Sequence, residues 1–294
     1  MGERLVISLG LVCLLGCSHS QRQRVGFVSN EQPNGNYNAQ GPVSRNESHR
    51  EGPNGGETNK KKDLSEDDLV EPQHPVADTK QERALVHIHG PAGRVCSGVV
   101  IGPRLVATAQ RCFRGMEKGA LALGAQQEYR VEVASSAATW TNRRAKYAVV
   151  PNCDEEAMDL ALIVLEEPVP ALVVPLTVVS APDVGAHVQA LGYGHCKGSK
   201  ERMTDKVGTV RSLAADNVVI DVPLCRGDVG GPVIDGNAGA VVGVISHRDN
   251  PVDSPLKTTA IARLDTTKAR DLIAQATTLV DGGDSTKLIA VACR

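Results

Sequence analysis

Residues 225–232, with the sequence CRGDVGGP, have the composition of a loop that presents a reactive side chain. Glycines lie on both sides of a central position, and glycine allows the backbone conformations that such a tight loop needs. The central residue would be expected to carry a nucleophilic hydroxyl, but it is Val229. The sequence therefore contains a nucleophile loop without a nucleophile.

Three other segments with a regular order accompany this loop. CSGVVIGPRLVATAQRC spans residues 96–112, DLALIVL begins at Asp159, and GYG occupies residues 192–194. After the loop comes GVISHR at residues 243–248. Any one of these motifs would be weak evidence, whereas their order and intervals together are specific.

Short apolar runs separated by turn residues dominate the chain from Ala84 onward. Runs such as ALVHIHG, LALIVL, LVVPLTVV and AVVGVIS are rich in valine and have the length of single strands. The pattern predicts about twelve strands and one terminal helix at residues 265–276, which fit two packed β-barrels better than one. Aromatic residues make up only 2% of the chain, so the core must be aliphatic.

These motifs resemble those of the trypsin-like (chymotrypsin-fold) serine proteases, over roughly Ala84 to Thr278. The resemblance implies an all-β fold of two packed six-stranded antiparallel barrels with a C-terminal helix. In that family a histidine, an aspartate and a serine form the catalytic triad. Carried over to this sequence, their positions are Arg111, Asp159 and Val229.

Two of the three catalytic groups implied by the resemblance are therefore replaced. Val229 has no atom that could form an acyl intermediate. The guanidinium of Arg111 keeps its proton at physiological pH and cannot act as a general base. In another serine protease, loss of the serine or the histidine alone lowers turnover roughly 10⁶-fold. His195 and His247 have no motif context that predicts a replacement base.

The resemblance also assigns the surroundings of the triad. Pro223 takes the place of the aspartate at the pocket floor in members with basic specificity, and Ser246 lies beside the triad aspartate. Arg248 replaces a glycine at the pocket mouth, where a long cation would obstruct a substrate side chain. The N–H groups of Gly227 and Val229 take the oxyanion-hole positions.

The two aspartates of these motifs need partners because a buried, unpaired carboxylate is costly. No Ile-Val-Gly-Gly terminus precedes ALVHIHG, so Asp228 lacks the ammonium partner of active family members. For Asp159 we predict a salt bridge with Arg111, supported by Ser246. The alternative is that Arg111 points to solvent and backbone N–H groups satisfy Asp159.

Six cysteines remain beyond the N-terminal Cys13 and Cys17, and they allow 15 connectivities. The resemblance implies a bridge between Cys96 and Cys112, which pins the histidine loop in the family. It further implies a bridge between Cys196 and Cys225, and the remaining pair is Cys153 with Cys293.

The N-terminus has the features of an export signal. Arg4 precedes an apolar run, Leu5 to Leu15, that is too short to span a bilayer, and LLGC resembles a bacterial lipoprotein cleavage box. We expect residues 1–17 to be a lipoprotein signal with lipidation at Cys17 and sorting to the outer membrane. The alternative is an ordinary secretory signal that is cut a few residues later.

The composition divides the exported chain in two. Residues 18–82 hold almost nothing apolar to bury and are predicted to be a disordered tether, and residues 83–294 form the protease-like domain. The net charge of −2 gives no argument for a nucleic-acid partner. No motif calls for a metal or a cofactor, and we expect a monomer.

Three functions follow from these observations. The first is a lipid-anchored, non-catalytic protease homologue that binds a protein or peptide through its surface loops. The second is an active serine-type hydrolase with unorthodox catalytic residues. The third is a structural envelope lipoprotein, which the long tether argues against, since a tether is useful to a domain that must reach a partner.

Overall fold

Two closed β-barrels form the folded part of the chain in the computed structural model. It describes residues 77–113, 116, 119, 129–194, 203–225, 227–248 and 257–292. The first barrel is closed in the order β1-β2-β3-β6-β5-β4 and the second in the order β10-β11-β12-β9-β8-β7. All strand pairs are antiparallel, so the predicted all-β, two-barrel fold is confirmed.

The strands of the first barrel are β1 (Leu85–Gly90), β2 (Arg94–Gly102), β3 (Leu105–Thr108), β4 (Arg130–Ala134), β5 (Trp140–Val149) and β6 (Ala161–Leu165). Those of the second barrel are β7 (His187–Gly192), β8 (Thr204–Leu213), β9 (Asn217–Ile220), β10 (Pro232–Asp235), β11 (Val241–Arg248) and β12 (Thr259–Arg263). Closure pairs every strand on both sides and leaves no exposed edge for pairing with another chain.

Aliphatic side chains fill both barrels, as the scarcity of aromatic residues predicts. Leu162, Ile163 and Val164 of β6 are fully buried, because β6 is covered by the barrel core on one side and by the C-terminal helix on the other. The second barrel has its own cluster of buried residues, which includes Val188, Val210, Val218, Ile220, Val233 and Ile261.

The C-terminal helix α2 (Thr267–Val280) follows β12 of the second barrel and packs against β6 of the first. Its N-cap is Thr266, whose side chain accepts a hydrogen bond from the Ala269 N–H. The buried side chains of α2 recur at helical spacing: Ala269, Leu272, Ala276 and Leu279. This helix therefore holds the two barrels together.

A short helix, α1 (Lys80–Ala84), spans the boundary predicted at residue 83. Thr79 caps it: its hydroxyl oxygen accepts from the Glu82 N–H, and its own backbone N–H donates to the Glu82 carboxylate. Ala77 is buried, so described residues on the N-terminal side of residue 83 also pack against the folded part of the chain. Residues 1–76, including Cys17, lie outside the described residues.

The described residues contain two α-helices, α1 and α2. Neither is long and apolar enough to cross a membrane.

Candidate active site

The carboxylate of Asp159, just before β6, is bound by three groups from two other segments. The Arg111 backbone N–H donates to Asp159 Oδ1 over 2.9 Å, and Arg111 Nε forms a charged hydrogen bond with Oδ2. The Ser246 hydroxyl donates to the same Oδ2 over 2.6 Å. The predicted ion pair is present, and a backbone N–H, the partner in the alternative interpretation, contributes as well.

Burial explains why this carboxylate needs a cation. The Asp159 side chain is 3% exposed and that of Arg111 is 19% exposed, so water contributes little to the solvation of the carboxylate. Arg111 lies in a 3-10 turn, Gln110–Phe113, that follows β3, while Ser246 lies in β11. The ion pair thus lies within the first barrel, and the Ser246 hydrogen bond joins it to the second.

His247 adds an imidazole to this cluster. Its Nδ1 lies 2.8 Å from the Ser246 hydroxyl oxygen and 3.4 Å from Arg111 Nη2. Because the Ser246 hydroxyl gives its hydrogen to the Asp159 carboxylate, it accepts from Nδ1, and the protonated Nδ1 cannot also accept from Arg111. His247 therefore orients Ser246, and Arg111 has Glu155 as a further neighbour, with 3.9 Å between Nη2 and Oε2.

The loop that contains Val229 is anchored to the first barrel by Ser97. The Ser97 N–H donates to the Val229 carbonyl, and its hydroxyl donates to the Gly227 carbonyl, each over 2.8 Å. The Tyr193 N–H in turn donates to the Ser97 hydroxyl over 2.8 Å. Ser97 is fully buried, so it fixes the loop that holds Val229 at the junction of the two barrels.

The oxyanion-hole positions carry two backbone N–H groups. Gly227 has φ +102°, a conformation that residues with a Cβ rarely adopt, which explains the glycine before Asp228. Within the described residues, neither the Gly227 N–H nor the Val229 N–H donates a hydrogen bond.

Asp228 is buried beneath this loop, with its carboxylate bound by backbone groups. Oδ1 accepts from the Gly194 N–H and Oδ2 from the Cys225 N–H, each over 2.8 Å. A Cβ on Gly194 would lie 2.0 Å from Oδ1, so the close approach requires the glycine of GYG. Burial raises the pKa of Asp228, against the opposing effects of these N–H groups, the Thr204 hydroxyl and the charge of Lys206.

The substrate-pocket positions are only partly described. Pro223 is exposed, and its carbonyl accepts a hydrogen bond from Lys206 Nζ over 2.9 Å. The backbone of Arg248 pairs with Thr259 in the second barrel, but its side chain lies outside the described part of the chain, as does all of His195.

The Cys96–Cys112 disulfide is confirmed, and it ties β2 to the turn that carries Arg111. Cys153 and Cys225 are also disulfide-bonded. Their predicted partners Cys293 and Cys196 lie outside the described residues, so these two pairings stay predictions. The C-terminal tail does lie beside Cys153, since the Asn152 N–H donates to the Val291 carbonyl over 2.8 Å.

Comparison with known families agrees with this geometry. The trypsin family model matches residues 73–270, about two thirds of the chain. The chain belongs to the trypsin family.

Two solved structures are similar to this trypsin-family chain. One is the Rv3671c protease in an inactive form, with 24% identity and a TM-score of 0.44, over 62% of this chain and 84% of that one. The other is a mutant of Rv3671c from M. tuberculosis H37Rv, also in an inactive form. It has 22% identity and a TM-score of 0.45, over 71% of this chain and 91% of that one.

A cavity of about 350 Å³ opens beside the triad position of this trypsin-family domain. Asp159, Ser246 and His247 form one side of it, and the β8–β9 turn forms another. Its remaining lining includes the acidic side chains Glu155, Glu156 and Asp216, together with Lys268. Asp216 pairs with Lys268 over 3.1 Å, so the lining carries an excess of negative charge.

Ser97, Glu155 and His247 belong to the site but were not assigned by sequence. Ser97 lies inside the motif of residues 96–112, but its contacts with Gly227 and Tyr193 depend on how the two barrels meet, and Glu155 lies outside the motifs. His247 directly follows Ser246, and this adjacency was the one sequence signal that could have placed it near Asp159.

Proposed function

We propose that this protein is a non-catalytic member of the trypsin family that binds a protein or peptide partner beside the former catalytic position. The observation that carries the proposal is the contact between Arg111 and Asp159. The backbone N–H and the Nε of Arg111 both donate to the Asp159 carboxylate. A histidine acting as base would need this aspartate as its partner. Here a permanent cation has that role instead.

The loop position supports the same conclusion. Val229 offers a hydrocarbon where an acyl intermediate would form, and its side chain packs partly against the core. In this proposal the N–H groups of Gly227 and Val229 donate hydrogen bonds to a carbonyl or carboxylate oxygen of the ligand. The site thus retains groups that hold a peptide and lacks those that cleave one.

The cavity beside Asp159 indicates which peptides would bind. Its acidic lining, Glu155, Glu156 and Asp216, faces one lysine that is already paired. Opposite charges across an interface favour the matching partner and disfavour partners of like charge. We therefore propose a peptide segment that carries lysine or arginine.

A peptide array incubated with the purified protein tests this binding. We expect bound peptides to be enriched in lysine and arginine, and Glu156→Lys to weaken their binding about 10-fold because it reverses a charge in the cavity lining. Glu166→Lys, a charge reversal at an exposed residue outside the cavity lining, is the matched control. Equal effects of the two substitutions, or no preference for basic peptides, would contradict binding of a basic peptide at this cavity.

A second function, hydrolysis by a displaced catalytic pair, has one observation in its favour. The Ser246 oxygen lies 2.8 Å from His247 Nδ1, which is the contact that a serine nucleophile makes with its base. Against it, the Ser246 hydroxyl is buried and donates to Asp159 rather than to the imidazole. We therefore regard this contact as structural.

Labelling with a fluorophosphonate probe distinguishes the two functions. We expect no label on the purified protein and no cleavage of a mixed peptide substrate pool, since Val229 has no hydroxyl and the Ser246 hydroxyl is buried against Asp159. Ser246→Ala is the matched variant. A label on the wild-type protein that this substitution removes would establish hydrolase chemistry and refute the non-catalytic function.

The remaining elements of the proposal concern the location of the protein. The export signal and Cys17 support lipid attachment in a bacterial envelope, with outer-membrane sorting from the serine after the cysteine. The predicted tether would then let the domain reach its partner away from the lipid surface.

A further inference from the structure

Three potential metal ligands lie together on the outer face of the first barrel, away from the triad position. His87 and His89 are two residues apart on β1, so both side chains point to the same face. Glu132 on the neighbouring strand β4 pairs directly with His87. Hydrogen-bonded strands, rather than a loop, therefore fix all three positions.

The distances between the ligand atoms suit a small metal ion. Glu132 Oε2 lies 3.2 Å from His87 Nδ1 and 3.4 Å from His89 Nε2, and all three ligand atoms lie within 4.8 Å of one another. Ligands about 2.0–2.1 Å from a tetrahedral zinc ion are separated by about 3.3 Å. Two of the three edges already have this length, so binding needs one modest adjustment between the imidazoles.

No other group of three histidine, cysteine or acidic side chains lies this close together in the part of the chain that the structure describes. The side chains are 19%, 44% and 14% exposed for His87, His89 and Glu132, so an ion can enter without unfolding. A cavity of about 360 Å³, lined by His89, Gly90, Arg130, Glu132 and Asn142, leads to them.

Tyr193 links this cluster to the interior. Its ring packs against His87 with 5.0 Å between centroids, and burial together with the nearby Glu132 carboxylate raises the pKa of Tyr193 well above its usual range. Its hydroxyl is buried and has no hydrogen-bond partner among the described residues. On one side the cluster therefore lies against a buried aromatic ring.

We propose that His87, His89 and Glu132 bind a divalent transition metal, with zinc as the best match. Two imidazoles and one carboxylate are a ligand set that zinc uses with the fourth position open to water or a ligand. Imidazole nitrogen favours zinc, copper and nickel over calcium or magnesium, which prefer oxygen. Arg130, across from His89, is a cation near the ion, but it is exposed and can turn toward solvent.

A competing explanation is that the two histidines only hydrogen-bond Glu132. Two such hydrogen bonds would satisfy the Glu132 carboxylate without an ion. The observed distances of 3.2 and 3.4 Å are long but acceptable for hydrogen bonds. The two explanations differ in one measurable respect. Glu132→Gln keeps an acceptor oxygen for an imidazole N–H but removes the negative charge that a cation requires.

The test is a calorimetric titration of the purified, disulfide-intact protein with zinc chloride in a buffer otherwise free of metal. We expect one zinc site per chain that His89→Ala and Glu132→Gln each weaken about 100-fold, because the first removes an imidazole ligand and the second removes the negative charge of the carboxylate. Cobalt(II) added instead should give the visible absorption of a tetrahedral complex, which the same substitutions abolish. His187→Ala, at an exposed histidine of β7, is the matched control and should leave binding unchanged.

Thermal unfolding without metal separates a binding defect from misfolding. Both variants should unfold at the temperature of the wild-type protein, since both positions lie on the outer face of the barrel. Zinc binding that is unchanged in His89→Ala and Glu132→Gln would overturn the proposal. So would the absence of binding by a wild-type protein that unfolds normally.

Discussion

Two buried aspartates lie close to the triad position of this domain, and their charges are compensated in different ways. Asp159 is bound by the Arg111 guanidinium, a backbone N–H and the Ser246 hydroxyl. Asp228 is bound mainly by the N–H groups of Gly194 and Cys225. One region thus carries a full positive charge in contact with the carboxylate, and the other relies on backbone dipoles.

The two regions therefore stabilise a buried carboxylate in different ways. In an active member, an imidazole would accompany the first aspartate and an ammonium group the second. In this chain Arg111 supplies a new counter-charge at Asp159, whereas at Asp228 the backbone carries most of the compensation. Burial accordingly raises the pKa of Asp228 from its ordinary value of 3.8. The stability of the Asp159 region should therefore depend on the Arg111 side chain. The stability of the Asp228 region should depend on the protonation of the Asp228 carboxyl group.

The largest effect on this comparison should come from Arg111→Ala. The substitution leaves the Asp159 carboxylate buried with only Ser246 and one N–H as partners, which should cost about 3 kcal/mol in the free energy of unfolding. Urea denaturation monitored by circular dichroism measures this cost.

Arg144→Ala is the matched control, because Arg144 is 65% exposed and lies 4.0 Å from a half-exposed Glu166. Its cost should stay within about 0.5 kcal/mol. If Arg111→Ala costs no more than this control, the guanidinium does not stabilise Asp159, and the two aspartates do not differ as argued.

The sequence predicted the strands that are short, apolar and rich in valine, but not all strands meet that description. β5 begins at Trp140, and its polar half, WTNRRAK, gave no strand signal because those side chains face solvent. Conversely, LVVPLTVV at residues 172–179 was predicted as a strand and forms none of the twelve strands above. It runs between the barrels instead, with the Leu176 N–H on the Val100 carbonyl and the Val179 N–H on the Val241 carbonyl.

The site shows the same limit. Asp159, Arg111 and Ser246 could be brought together from sequence because a family resemblance aligned three distant motifs. Ser97 could not, because its role depends on a hydroxyl that meets the Gly227 carbonyl and the Tyr193 N–H across the two barrels. The proposed zinc ligands could not be grouped from the sequence for a related reason, because Glu132 lies beside His87 and His89 only through the strand register.

Substitution of Asp228 itself should lower the free energy of unfolding by less than Arg111→Ala does. Asp228→Asn replaces one of its two acceptor oxygens with an N–H₂ group, which leaves the Gly194 or the Cys225 N–H without a partner. We expect a cost of about 2 kcal/mol at neutral pH. Asp235→Asn is a suitable control, since one oxygen of Asp235 accepts both of its turn N–H bonds and an amide oxygen can replace it.

The pH dependence of that cost is the finest test, and its sign follows from the raised pKa. A folded-state pKa above the unfolded value means that the native protein binds the proton first, so Asp228 contributes more stability as pH falls from 7 toward 3.8. Asparagine does not titrate, so the cost of Asp228→Asn should grow over this range. Asp265 should behave in the opposite way, because its hydrogen bonds with Arg263 lower its pKa.

Stability from a lowered pKa is complete above the unfolded value and is lost as pH falls through the folded one. The cost of Asp265→Asn should therefore shrink below pH 3.8, whereas that of Asp228→Asn changes above it. Urea midpoints of the wild-type protein and both variants, at intervals from pH 7 to about pH 3, measure the two slopes. Slopes of the same sign would mean that Asp228 is ion-paired in solution, and its compensation would then match that of Asp159.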